Sequence, residues 1–460
     1  MATGISEERA PGARGIAVLD GPHQGEPATL DGGRPDWRER LGPQARPIIA
    51  FLTRDAVRVP LTVFTLSRLY IFLLGAIAMQ INQVLPPVAA LGYYMPDLTG
   101  WQHYLIQPWR NWDGHWFALI AQEGYFEKPT TAFFPLYPLL LRGGSWFLDG
   151  QIALAGVLIS NVALLGALVV LYQLIQLDFP RAVARRTILY LALFPTAYYL
   201  GAVYSESLFL LLSVGSLYAA RRNRWWVAGA LGFLAALTRS QGILLLVPLA
   251  IMFIRQQGWH PRRWQANPIG IALVPAGLLT YMVYLRRLWN DPLIMLSAQK
   301  GWDRYSANPI ETMQAGYKAI NGCAVRDWNA GVNFCWATQA LQQPGLATLR
   351  DMNWRWALSE SNFIEFAATI FLIAIAIVAL RYLPLQYSAY LAAGIILPLW
   401  SPSAVHPLMS LHRFALALFP VFIVLALLGK RRPVHGGIVV VSALLLALLT
   451  TMFASWLWVA

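Results

Sequence analysis

The chain has 460 residues, of which 57% are hydrophobic and only 12% charged, with a formal net charge of +13. A soluble domain carries roughly twice that charged fraction, and runs of about 20 apolar residues, long enough to cross the hydrocarbon core, recur along the sequence. A soluble protein is therefore excluded, as is a β-barrel, whose alternating segments of about ten residues are absent; the basic residues fall in short clusters between apolar runs, which excludes a nucleic-acid partner.

Residues 1–56 include GPHQGEPATLDGGRPDWRERLGPQARP, rich in Gly, Pro and charge. They lack the apolar core of a signal peptide and read as a mostly disordered cytoplasmic tail. Residues 57–460 read as one all-α domain, a polytopic transmembrane helical bundle of about 11 spans. The expected spans are 58–84, 152–177, 186–203, 205–220, 225–238, 240–254, 267–288, 362–381, 386–400, 411–429 and 436–458. The region 225–254 is too long for one straight span and too short for two full ones, so it is broken at LTRSQG.

Orientation follows from Arg and Lys. With the tail inside, Arg181, Arg185 and Arg186, then Arg221, Arg222 and Arg224, then Arg255, Arg262 and Arg263, and finally Lys430, Arg431 and Arg432 all fall inside. The long loops 85–151 and 289–361 fall outside, and interfacial helices are expected in the first. A single span at 225–254 would put Lys430, Arg431 and Arg432 outside, which argues for the break. Cys323 and Cys335 both lie in the second outer loop. Disulfides persist on that side, so a Cys323–Cys335 bridge is expected, against the alternative of two buried thiols.

The unusual polar residues gather on the outer side. RNWDGHWFALIAQEGY carries Asp113 and His115 among Trp112 and Trp116, and AVYSESLFLLL carries Tyr204 and Glu206. LTRSQG carries Arg239, AQKGWDRYSANP carries Lys300, Asp303 and Arg304, and VHPLMSLHRF carries His406, His412 and Arg413. One acid with several cations at a membrane face suits an anionic lipid headgroup and an uncharged nucleophile.

Each residue also has a plainer reading. Asp113 can be a helix N-cap, with Trp112 and Phe117 as a hydrophobic staple, and the pattern alone favours that. The tryptophans fit an interfacial belt. Glu206 complements a helix dipole. Arg239 would cost about 2.5–3.5 kcal/mol at membrane depth unless its loop rides at the interface. Arg413 can snorkel to headgroups. Lys300 and Arg304 fit a solvated loop, and His406 and His412 fit turns.

Four segments, in order, resemble the PIG-V family of mannosyltransferases within the GT-C class of membrane glycosyltransferases. They are RNWDGHWFALIAQEGY followed by AFFPLYPLLLR, then LFPTAYYLGAVYSESLFLLL, LTRSQGILL and SLHRFALALFP, and the resemblance covers roughly residues 60–430. Family members usually read closer to TRSNG where Gln241 stands here, and the tail 1–56 has no evident counterpart. The resemblance implies transfer of a hexose, most often mannose, from a polyprenyl-phosphate sugar donor to an acceptor hydroxyl on the extracytoplasmic or lumenal face. It implies that Asp113 is the catalytic acidic residue.

From there the expected roles are Asp113 as general base, Arg239, Arg413 and Lys300 on the donor phosphate, and His115, Tyr204, Glu206 and His412 around the sugar or acceptor. A single displacement would invert the anomeric centre. No dense carboxylate cluster marks a metal site, which leaves only a divalent cation (Mg²⁺ or Mn²⁺) held partly by phosphate. The expected acceptor is a glycolipid, glycan or protein, with room for an accessory membrane subunit. The Arg/Ala/Leu-rich composition points to a bacterial plasma membrane; in a eukaryote the same loops would face the lumen of the endoplasmic reticulum. Two alternatives stay open: another lipid-linked sugar such as arabinose, and a lipid or glycolipid transporter, for which matched internal repeats are missing.

Overall fold

The structure, a computed structural model, describes residues 54–82, 98–259, 267–320, 323–327, 332–335, 362–457 and 459. These lie within the unit Thr53–Ala460. The expected tail falls outside the described residues up to position 53.

Six described helices are long and apolar enough to cross a membrane: Asp55–Ile81, Ile152–Gln176, Ser240–Gln257, Pro268–Trp289, Asn362–Tyr382 and Arg432–Ala454. The pair Leu411–Ala417 and Pro420–Leu428, bent by 87°, would make a seventh span. Glu206–Arg221, Trp225–Ala236 and Leu385–Leu399 are helical where spans were expected; at 16, 12 and 15 residues they are shorter than those six. The expected span 186–203 is not one helix. Helix Arg181–Ala192 stops there and a 3-10 turn, Ala197–Leu200, follows. Pro195 explains the stop: it lacks an N–H and biases Phe194 away from the helical region.

The break expected at LTRSQG is present. The chain leaves helix Trp225–Ala236, runs extended at Arg239 (φ −154°, ψ 150°) and re-enters through the 3-10 turn Ser240–Leu245. Gly242 makes that fold-back feasible, because a Cβ there would stand 2.4 Å from Ala236 Cα. Small residues also set the helix spacing, as is usual in membrane bundles. A Cβ on Gly229 would lie 1.7 Å from Gly270 O, so helices Trp225–Ala236 and Asn267–Trp289 meet backbone to backbone.

The first and last long helices pack together, and Tyr70 Oη donates to Ala443 O at 3.0 Å. Helix Ile152–Gln176 packs against Asp55–Asn82, Leu136–Ser145, Arg181–Ala192 and Glu206–Arg221. The residues assigned to the inner side pair with one another. Arg185 meets Asp55 at 3.0 Å, and Arg221 meets Asp178 at 2.7 Å. Arg255 donates to Gln386 at 3.2 Å.

One two-stranded hairpin departs from the all-helical plan. Cys323–Asp327 pairs antiparallel with Val332–Cys335, placing Cys323 opposite Cys335. The two cysteine side chains lie outside the described ones, so the bridge remains a proposal. Intact mass of the unreduced protein is expected to show both sulfurs blocked to alkylation, and two alkylatable thiols would overturn it.

Candidate active site

Asp113 opens helix Asp113–Glu123. The residue in the capping position is Trp112, and no side-chain cap bond is made. The capping reading of Asp113 is thereby corrected: its carboxylate is engaged elsewhere. Oδ2 accepts from Arg413 Nη1 at 2.6 Å, and nothing else among the described residues hydrogen-bonds the carboxylate. The expected staple is also replaced. Trp112 packs on Trp456 (5.8 Å between ring centroids), while Phe117 packs on Phe133 and Tyr137 (5.0 Å each).

The approach to Asp113 is fixed on both sides. Asn111 Nδ2 donates to Phe453 O at 3.0 Å. Tyr204 Oη donates to Asn111 O (2.9 Å) and accepts from the Asp113 backbone N–H (3.1 Å). Trp112 is held at φ 57°, where residues other than glycine are uncommon. Ser410 (φ 68°), three residues before Arg413, and Asp303 (φ 53°), just before Arg304, also take positive φ. Such conformations cost free energy and gather where surrounding structure enforces a function.

Glu206 begins helix Glu206–Arg221 and is buried. Its Oε1 accepts from Arg413 Nε at 2.6 Å and from Arg239 Nη1 at 2.8 Å. Arg239 also donates to Ser205 Oγ at 3.1 Å and Gln241 Oε1 at 3.2 Å. The result is an alternating chain, Asp113–Arg413–Glu206–Arg239, whose charges cancel. Arg413 lies over the rings of Tyr204 (4.8 Å) and Tyr199 (5.0 Å), contacts that strengthen when desolvated. Removing one member of a buried set leaves an uncompensated charge, and the cost is greatest at Glu206, the shared acceptor and the more buried of the two acids.

The chain borders a pocket of about 420 Å³. Asp113, Arg239 and Arg413 line it, together with Arg304, Ser205, Gln241 and Gln299. Apolar walls come from Phe117, Phe133, Phe134, Trp302, Leu278, Met295, Leu397 and Phe414. Five segments far apart in sequence meet here, each carrying residues assigned to the outer side, and Leu278 of helix Asn267–Trp289 joins them.

None of the residues expected around the sugar lines the pocket. Tyr204 and Glu206 stand behind it and hold Asp113 and the arginines. His115 is buried on helix Asp113–Glu123, and burial with nearby Arg110 lowers its pKa. His412 is buried and donates from Nε2 to Val459 O at 2.7 Å. His406 meets Asn362 Oδ1 at 3.2 Å. Lys300 is exposed and outside the lining; Arg304, four residues on, is inside it. The sequence reading missed Ser205, Gln241, Gln299 and Trp302 as pocket residues. Gln241 carried a signal, since it stands where the family motif differs. Asp113 is the only carboxylate among the lining residues, and no group of three His, Cys, Asp or Glu among the described residues could hold a metal ion.

Fold and pocket together define a multi-pass helical membrane protein with an ionic, apolar-walled site at one end of the bundle. Residues 86–261 match the family described as Mannosyltransferase (PIG-V). The GPI alpha-1,6-mannosyltransferase 2 of Mus musculus is 35% identical over 224 residues, covering 42% of this chain and 45% of the relative. The Homo sapiens protein of that name is 27% identical over 259 residues, covering 48% and 52%. The chain thus spans about half the length of the curated relatives it matches. These relatives are mammalian and give the bacterial plasma membrane no support. Among solved structures, the oligosaccharyltransferase of Archaeoglobus fulgidus aligns with a TM-score of 0.40 at 14% identity, covering 85% of this chain and 53% of that one. The matched family segment holds Asp113, Glu206 and Arg239; Arg304 and Arg413 lie beyond it.

Proposed function

We propose that the protein is a GT-C-class membrane mannosyltransferase, moving mannose from a polyprenyl-phosphate donor to an acceptor hydroxyl on the extracytoplasmic or lumenal face. The observation that carries this is the Asp113 carboxylate, fixed by Arg413 at 2.6 Å on the wall of the pocket, with Oδ1 unengaged among the described residues. A hydroxyl is a poor nucleophile at neutral pH, and a positioned base that takes its proton is worth about 10²–10⁴-fold. The oxygen attacks the anomeric carbon, Asp113 receives the proton, and the carbon–oxygen bond to the lipid phosphate breaks. The phosphate leaves with the electron pair, and the guanidinium groups facing the pocket stabilise that charge. Direct displacement inverts the anomeric centre.

The relatives' names favour mannose over arabinose. The acceptor is a glycolipid, glycan or protein hydroxyl, with or without an accessory membrane subunit. A divalent cation (Mg²⁺ or Mn²⁺) would draw most of its ligands from the donor, since Asp113 alone among the lining residues offers a carboxylate.

The test uses the purified protein in liposomes with labelled polyprenyl-phosphate-mannose and a membrane lipid extract, with and without chelator. Mannose is expected in the product with inverted configuration, and unlabelled arabinosyl donor is expected not to compete. Retained configuration would refute the direct displacement, and efficient competition would refute the choice of sugar.

A further inference from the structure

We infer that Arg304 is the anion anchor of the pocket and holds the phosphate of the lipid-linked donor, the role expected from the sequence for Arg239 and Arg413, with Lys300 beside them. This rests on the mannosyltransferase reading above. Three observations carry it.

The first is charge. Arg413 and Arg239 are already matched by Asp113 and Glu206 at 2.6–2.8 Å. Arg304 makes no ion pair with any described residue. Its guanidinium donates instead to main-chain carbonyls, from Nη1 to Ser401 O at 2.6 Å and from Nη2 to Met409 O at 3.5 Å. Asp113 and Glu365 act on it only at longer range, and Asp303 beside it is exposed and outside the lining. The lining residues and Glu206 thus leave one positive charge unmatched by any ion pair in an apolar-walled pocket, with Glu365 outside the lining and not hydrogen-bonded to Arg304. A phosphodiester donor brings a single negative charge to match it. Burial pulls the Arg304 guanidinium down to about 10, so it keeps its proton at neutral pH.

The second is mounting. Residues 303–307 run beside 400–404 as a short ladder. Tyr305 N donates to Pro402 O (3.0 Å), Ala307 N to Trp400 O (3.3 Å) and Ala404 N to Asp303 O (2.9 Å). Arg304 pairs with Ser403 in that ladder. With two carbonyls also gripping the guanidinium, its plane is set before any ligand arrives, which reduces the ordering cost of binding. A planar fork of donors suits phosphate better than an ammonium does.

The third is place. Arg304 lines the same pocket as Asp113, and the segment it grips carries Met409 and Ser410, which line the pocket beside Arg413. Lys300 offers neither the mount nor the position, being exposed on the 3-10 turn Gln299–Trp302.

The experiment measures equilibrium binding to the full chain in neutral-lipid liposomes. The probes are a short-chain polyprenyl phosphate, the matching alcohol and inorganic phosphate. Wild type is compared with Arg304→Gln, Arg304→Lys and Lys300→Ala. The glutamine amide can still donate to Ser401 O, so that variant removes the charge and spares the mount. Arg304→Gln is expected to lose at least about tenfold in affinity for the lipid phosphate, the range for a hydrogen bond to a charged group, with alcohol binding unchanged. Arg304→Lys should fall between, and Lys300→Ala should match wild type. Unchanged lipid-phosphate binding in Arg304→Gln, or a tenfold loss in Lys300→Ala, would overturn the assignment. Inorganic phosphate binding as tightly as the lipid phosphate would also overturn it, by pointing to a soluble anion. A wild type that binds phosphate and alcohol equally would instead refute the mannosyltransferase reading, and the anchor with it.

Discussion

Asp113→Asn is expected to lower mannosyl transfer by about 10²–10⁴-fold, the usual worth of a positioned general base, while the protein stays folded and binds donor normally. The amide can still offer an oxygen to Arg413 Nη1, now 2.6 Å from the carboxylate. Arg413 keeps its second acid, Glu206, also at 2.6 Å. Little therefore forces the site to rearrange, and what disappears is a group able to take the acceptor proton. Single-turnover kinetics beside donor binding separates the effects, because loss of a base lowers the chemical rate and spares ground-state affinity. Transfer equal to wild type would reduce Asp113 to a counter-ion that positions Arg413. Parallel loss of donor affinity would show that its charge organises the pocket and is not the base.

Glu206→Gln is expected to do wider damage, destabilising the protein by about 3–5 kcal/mol, the range for breaking a buried ion pair, and abolishing transfer. Glu206 Oε1 is the shared acceptor of Arg413 and Arg239, and it is 2% exposed. With the charge gone, two buried arginines face one another with Asp113 as the only remaining acid of the chain. Thermal unfolding in detergent should shift down by several degrees. The double variant Glu206→Gln, Arg239→Gln restores the balance and should recover much of the midpoint without recovering activity. A single variant as stable as wild type would mean that water or lipid compensates the arginines.

The charged residues of the site are brought together only by the fold. Asp113, Glu206, Arg239, Arg304 and Arg413 come from five segments spread over 300 positions, as the Arg413–Asp113 bond itself illustrates. Their gathering at one site was nonetheless expected, because Arg and Lys clusters assign these segments to one side without any tertiary information. Asp113, Arg239 and Arg413, each from one of the motif segments, line the same pocket.

What the sequence determined by itself was the helical membrane class, the position of most helices and the break at LTRSQG. These depend on the length of apolar runs, on charge between them and on Gly and Pro, all of which are local quantities. What only the tertiary structure decided was which side chain of each segment meets the pocket. Neighbouring residues on a helix point about 100° apart, so Arg413 faces the pocket while His412 turns to Val459. On extended chain, successive side chains take opposite faces, and whether Lys300 or Arg304 enters depends on how residues 303–307 lie along 400–404. That register is set by hydrogen bonds between segments about a hundred residues apart, and no pattern within either segment specifies it.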